Sequence, residues 1–366
     1  MSTIQSRRTS SRSSRANWMG QLVRHSPKAI RFRDLILPGS HHSASSSISS
    51  CLLLLPVTSI GRTQQLSVYQ QLCFGIRYLD IRFAKSRSST LLRKPTVTTS
   101  GCGFCICHGL LQGSDLLEVL LEIVDFVQTY PTEFVMVELV PEYGAHQHLS
   151  TTEKLQFLRL VKTVFYNHQF DGRRMPYLLH QASIQEITGT ESTLSGSIVT
   201  KPRVCLLIHN RLFENESNST VRLNDSLGLT PDYVLQEYGM ATSQSWMHNP
   251  WHDTDDVEHL LSCNWKAVCQ THQLFRNLQF VLTPQVQGLS DVAAILLCRK
   301  AVRPLTLARM LYEKDCLLNF LKDLNLNKQS PPQGSKNCYW NILTLDYIDQ
   351  CPDLIDYLIE TNFQTL

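Results

Sequence analysis

The chain has 366 residues, 43% hydrophobic and 18% charged, with a formal net charge of +3. That length and apolar content support one large domain or two small ones. So small a charge excludes the footprint of a nucleic-acid binder but does not oppose contact with an anionic membrane surface. The 12 cysteines are scattered, often inside apolar runs as at Cys73, Cys205 and Cys298. Free thiols in a reducing, cytoplasmic setting fit that pattern better than a disulfide scaffold.

Residues 1–16 are Ser/Arg-rich and of low complexity, which reads as a disordered tail with no signal peptide. The strongest apolar run, Cys51 to Val57, is far short of the roughly 20 residues a membrane helix needs. A soluble protein that meets a membrane peripherally is expected. Three glycosylation sequons, at Asn215, Asn218 and Asn224, lie in one polar stretch and read as an Asn/Ser-rich exposed loop.

Short apolar runs alternate with longer amphipathic ones. Buried strands are expected at Asp34–Leu37, Tyr78–Phe83, Phe104–Cys107, Phe134–Val140, Arg203–Ile208, Leu278–Leu282 and Asn341–Leu345. A helix follows Ser114 or Asp115 as cap, with Leu116, Leu117, Leu120, Leu121, Ile123, Val124 and Val127 on a broad apolar face. A second, over 150–167, opens with a Thr/Glu capping pattern, and a third covers 306–324. Strand–helix alternation argues for a parallel sheet, so the expected fold is α/β: an irregular TIM-like (β/α)8 barrel, one domain over 17–366. The pattern yields no eighth strand between Asn210 and Thr271, a long polar region rich in Trp and Asn. A doubly wound sheet is the alternative. It would call for a Gly-rich phosphate loop after the first strand, and the chain has neither G-x-G-x-x-G nor the Walker pattern.

In such a barrel the active site lies at the carboxyl ends of the strands. There the chain places His41 and His42, then Asp80 and Arg82 two apart on one face, then His108, Glu138 and Glu142, His209, and Asp346. Singly each has a plain reading as a loop residue, a structural ion pair or a helix cap. Together, beside a core that penalises unpartnered polar groups, they fit one shared pocket. Cys102, Cys105, Cys107 and His108 have the spacing of half a zinc ribbon, but no second half follows, so buried or incidental thiols are the preferred reading.

Seven stretches in order carry a resemblance: "NWMG", "DLILPGSHHS", "QQLCFGIRYLDIRF", "CHGLLQG", "NPWHDTDDVEHLL", "LQFVLTP" and "NILTLDYIDQCPDLIDYLIETNF". The chain resembles the phosphatidylinositol-specific phospholipase C X-domain-containing proteins, animal relatives of the bacterial enzymes, from about Asn17 to the C-terminus. The resemblance implies a barrel without the accessory domains of the large signalling phospholipases. It implies catalytic histidines at His41 and His108, a phosphate-contacting Arg82, an Asp346 that orients His41, and Asp80 as the other acidic member of that strand motif. It also implies phosphatidylinositol or a related phospholipid as substrate. The remaining strand-end residues, Glu138, Glu142, His209 and His42, are then the substrate-binding candidates.

The chemistry explains these types. A neutral imidazole takes the proton of the attacking inositol hydroxyl, a guanidinium meets the growing phosphoryl charge, and an imidazolium protonates the departing oxygen. Calcium-dependent relatives carry an acidic ligand where Arg82 stands, so no metal and no cofactor is expected. Two positions depart from the family pattern. His42 replaces a carboxylate that in the bacterial enzymes supports the general acid. Val140 and Pro141 occupy the place of an inositol-contacting lysine. An impaired enzyme that binds inositol headgroups or a protein partner is therefore the competing expectation. Other barrel phosphodiesterases, such as glycerophosphodiesterases, would show a His-Arg-Gly start and acidic metal ligands, which are missing here.

Overall fold

The computed structural model describes residues 15–26, 28–48, 61–86, 101–109, 111–142, 148–188, 191–192, 198–199, 203–213, 231–270, 274–283, 304–312, 316–329 and 340–364. The start of the Ser/Arg tail, the Cys51–Val57 run, Cys298, the three sequons and most of the basic, Ser/Thr-rich stretch between Lys85 and Gly101 lie outside the described residues.

The sheet is a curled barrel of parallel strands clothed by helices. Its strands are β1 (Leu37–Ser40), β2 (Tyr78–Lys85), β3 (Phe104–His108), β4 (Leu111–Asp115), β5 (Val135–Pro141), β6 (Val204–Ile208), β7 (Ala241–Thr242), β8 (Met247–His248), β9 (Phe275–Phe280) and β10 (Ile342–Leu345). The hydrogen-bonded order is β8-β9-β10-β1-β2-β5-β6-β7, with every pair on that path parallel. One helical turn, Ser243–Trp246, joins the two ends of the order. All seven residues of β5 are buried, as expected for a strand covered on both faces.

Several sequence expectations need correction. The region between Asn210 and Thr271 does hold strands, β7 and β8, but each is two residues long. Nothing that short can show alternation or a sustained apolar run. The first strand begins at Leu37, because Phe32–Asp34 forms a 3-10 turn. The strand expected at Leu278–Leu282 begins at Phe275. The Phe104–Cys107 run is no parallel barrel strand: β3 lies antiparallel to β2, with Phe83 opposite Ile106, and pairs onward with β4. β2 overshoots the barrel rim and the hairpin returns toward it.

The helices follow their caps. α1 (Trp18–His25) lies below the barrel, and α2 (Val68–Cys73) opens with a Ser67/Gln70 capping box. α3 (Leu116–Thr129) is capped by Asp115, which accepts the Leu117 amide. Of its expected apolar face, Leu116, Leu120, Ile123 and Val127 are buried, Leu117 and Val124 half-buried, and Leu121 is 49% exposed. α4 (Thr151–Val164) is capped by Ser150 rather than by a threonine. The pattern over 306–324 falls into two helices, Pro304–Tyr312 and Cys316–Gln329. Among the described residues no helix is long and apolar enough to cross a membrane.

The amino ends of the strands are closed by a buried ion pair. Arg77 Nη2 lies 2.5 Å from Glu133 Oε2 and both side chains are fully buried. Arg77 Nη1 donates to the Leu72 and Ile76 carbonyls, and Nη2 also to that of Ala16. Glu133 in turn accepts the amides of Met19 and Gly20 at the start of α1, which ties the "NWMG" stretch to the "GIR" stretch through Arg77.

Candidate active site

At the carboxyl ends the backbone turns sharply. β1 pairs with β10 on one side and β2 on the other, and the His41 amide extends the ladder to the Leu345 carbonyl at 3.0 Å. The chain then reverses at His42, whose φ of 42° is left-handed. Tyr347, just after Asp346, has φ 46°. Two non-glycine residues in this sparsely populated region flank the same pair of side chains, a pattern typical of functional sites. Gln64 holds the turns together, its Nε2 donating to the carbonyls of His41 and Leu345 at 3.1 and 2.8 Å.

His41 Nδ1 lies 2.9 Å from Asp346 Oδ1, and its Nε2 lies 2.9 Å from Arg82 Nη2. A guanidinium only donates, so Nε2 is the acceptor, Nδ1 carries the proton, and Asp346 accepts it. The geometry therefore selects one neutral tautomer of His41. Burial, then the charge of Arg82, holds this imidazole well below the usual histidine range. Burial also raises the Asp346 carboxyl well above the usual carboxylate range, with Arg82 pulling the other way.

Arg82 reaches Asp80 Oδ2 at 3.4 Å, and burial, which works against its charge, is more than offset by Asp80 and Glu142. Asp80 Oδ2 also meets the His42 amide at 3.5 Å. His108 Nδ1 donates to the Gly61 carbonyl at 2.8 Å, which leaves Nε2 as its second working atom. Burial holds His108 below the ordinary value, against the upward pull of Glu142 and the Gly61 carbonyl. The His42 ring stands between the two other imidazoles, its centroid 4.4 Å from that of His41 and 4.0 Å from that of His108.

Six of the residues expected from the sequence thus form one cluster: His41, His42, Asp80, Arg82, His108 and Asp346. The other three stand around it. Glu138 lies deeper in the barrel, beside Asp80 in the strand register. It accepts the Tyr78 hydroxyl at 2.5 Å and Asn249 Nδ2 at 3.1 Å, and burial followed by the charge of Asp80 pushes its carboxyl up to about 7. Glu142 accepts the Gly109 amide at the tip of the His108 hairpin. His209 is held to one side by Gln244 Nε2 at 2.9 Å, with burial the main cause of its fall to about 4.

Sequence reasoning missed Trp251. Its ring lies 5.1 Å from that of His41 and 5.8 Å from the Arg82 guanidinium carbon, and it is 43% exposed at the mouth. It also missed a polar floor in which Asn277 Nδ2 and Gln279 Nε2 donate to Asn249 Oδ1 and Thr344 donates to Asn277. Tyr78 was legible, since it alternates with Asp80 and Arg82 on one strand face. Gly39 makes room for it: a Cβ there would stand 2.8 Å from the Tyr78 ring. Among the described residues no group of three or more His, Cys, Asp or Glu is set to hold a metal ion.

No protein-family model matches the chain. It is 42% identical over 174 residues, 44% of its length, to a PI-PLC X-box domain-containing protein of Dictyostelium discoideum, and that match covers 20% of the relative. It is 26% identical over 200 residues, 54% of its length, to a 1-phosphatidylinositol phosphodiesterase of Listeria monocytogenes, covering 52% of that protein. The chain thus spans about a fifth of the first relative and about half of the second. In fold it matches the phosphatidylinositol-specific phospholipase C of Listeria monocytogenes, with TM-score 0.54 at 16% identity over 95% of this chain and 98% of that one. It also matches that of Staphylococcus aureus, with TM-score 0.57 at 15% identity over 95% and 96%. The chain resembles the PI-PLC X domain-containing proteins in sequence and the bacterial phosphatidylinositol-specific phospholipases C in fold.

Proposed function

We propose that the protein is a phosphoric diester hydrolase of the phospholipase C type, acting on phosphatidylinositol at a membrane surface without a metal. The observation that carries this reading is the chain Asp346–His41–Arg82, with 2.9 Å at each link. It joins an oriented base to a phosphate-binding cation.

In this reading a substrate phosphate draws Arg82 off His41 Nε2. That frees the nitrogen to take the proton of the inositol hydroxyl as the oxygen attacks phosphorus. Arg82, still near Asp80, meets the phosphoryl charge as it builds. His108 gives its Nε2 proton to the diacylglycerol oxygen as that bond breaks, and an inositol cyclic phosphate is released. Asp346 keeps the His41 tautomer fixed throughout. Asn249 and Glu138 on the floor offer hydrogen bonds to the ring hydroxyls, and the Trp251 ring covers one side. The guanidinium fills the position from which a calcium ion would be repelled, which supports a metal-free route.

A second reading keeps the pocket and drops the turnover. The His42 ring, packed 4.0 Å from that of His108, brings no negative charge to the proton donor. On this view the site binds inositol headgroups without cleaving them.

Purified protein on phosphatidylinositol micelles in excess EDTA separates the readings. The first expects cyclic inositol phosphate and diacylglycerol, with losses of about 10²–10⁴-fold in His41→Ala and His108→Ala. Headgroup binding without product, or product insensitive to both substitutions, overturns it.

A further inference from the structure

The hairpin that carries His108 is fastened by one carboxylate. Glu142, the first residue after β5, accepts the Gly109 amide on Oε1 at 2.5 Å, and its Oε2 lies 3.8 Å from Cys107 Sγ. Its own amide is tied to the Phe83 carbonyl at 2.9 Å, so the backbone beneath it is fixed to β2. Gly109 has φ 56°, and a Cβ there would meet nothing within 4 Å. The position thus needs glycine for its left-handed backbone, which turns the N–H toward Glu142, and not for space. The carboxylate straddles the residues on either side of His108.

Among the described residues, the other charged or titratable groups around His108 are Arg82 and Asp80 on β2 and His41 and His42 on the β1 turn. Arg82 is positive and repels an imidazolium. His42 supplies no negative charge. Asp80 is shared between Arg82 and the His42 amide. The Cys107 thiol is pushed well up by burial first and Glu142 second, so it stays protonated and brings no charge either.

We propose that Glu142 is the positioning residue that lets His108 carry and release a proton. Its negative charge offsets the imidazolium that Arg82 disfavours, and its bond to Gly109 fixes the hairpin tip that aims the ring. This rests on the phosphodiester reading above and gives Glu142 a role within it other than contact with the substrate. The proton passes from His108 Nε2 to the departing oxygen, and Glu142 takes no part in that transfer.

The test is Glu142→Gln, which keeps an oxygen for the Gly109 amide and removes the charge. With histidine Cε1 labelling, and His108→Gln to identify the signal, the His108 titration midpoint should fall by about one pH unit in E142Q. The value of kcat/KM should then drop about tenfold above the wild-type midpoint and by less below it. Glu142→Asp, which keeps the charge, should stay near wild type. The double variant His42→Asp with Glu142→Gln should recover the midpoint, because a carboxylate returns on the other side of the ring. A His108 midpoint that E142Q leaves unmoved, or that E142D lowers as much as E142Q does, overturns the proposal. The titration needs no turnover, so a wild-type protein that cleaves nothing would sink the phosphodiester reading while Glu142 is still decided.

Discussion

Two buried charged clusters stand at opposite ends of one barrel, and they are finished differently. At the amino ends, Arg77 spends its donors on Glu133 and on backbone carbonyls, and Glu133 receives the start of α1 in return. Aromatic faces cover it, with Phe126 4.8 Å and Trp18 5.7 Å from the guanidinium carbon. At the carboxyl ends, His42 Nε2, Asp80 Oδ1, Arg82 Nε and Glu138 Oε1 are buried and have no hydrogen-bond partner among the described residues. Desolvating such groups without partners costs on the order of 1–3 kcal/mol each. One cluster is a closed structural plug. The other keeps polar atoms in reserve around oriented acid–base groups, as a substrate site does.

The comparison breaks most visibly under substitution. His41→Gln should lower kcat/KM about 10²–10⁴-fold and cost less stability than any change at Glu133; a steady-state assay beside a urea titration reads both. Glu133→Gln should do the reverse. It leaves Arg77 buried without its counter-charge, which costs about 3–5 kcal/mol, while the folded fraction keeps its kcat/KM. Equal losses of activity per folded molecule would erase the distinction between the ends.

Glu138 sharpens it further. Its folded-state value of about 7 lies above the ordinary carboxyl value. The folded protein therefore holds this proton more tightly than the unfolded chain does. Stability falls as pH rises through the interval between the two values, and above it the ionised group costs on the order of 3 kcal/mol. Glu138→Gln should remove that cost, so its urea midpoint should exceed that of wild type at pH 8 and not at pH 5. The smallest expected effect is at Trp251. Losing its contact with Arg82 at a half-exposed rim should lower kcat/KM about two- to fivefold, with unchanged Tm.

Much of this was legible in the chain. The rule that sites gather at carboxyl strand ends picks out His41, Asp80, Arg82 and Asp346 because these follow or close well-formed apolar runs. His108 was found for an imperfect reason: it ends an antiparallel strand that returns to the rim, and an apolar run carries no direction. Trp251 and Asn249 were missed because they follow β8, a strand of two residues that has no pattern to read. Glu133 and Arg77 gave no signal as a pair, since nothing in their spacing announces that the chain start will cap them. The strained backbone at His42 and Tyr347 is likewise set by packing between distant strands rather than by local preference.

The most direct measurement is the pH profile of kcat/KM for phosphatidylinositol cleavage in excess EDTA. The base must be neutral and the acid protonated. Burial first, with Arg82 adding, holds His41 well below 6.5, and burial holds His108 below 6.5 as well. Activity should therefore rise as His41 loses its proton, fall as His108 loses its own, and peak below pH 6.5 in a bell whose limbs belong to the coupled pair. A profile that climbs to a plateau above pH 7.5, or one that needs added calcium, would contradict the account.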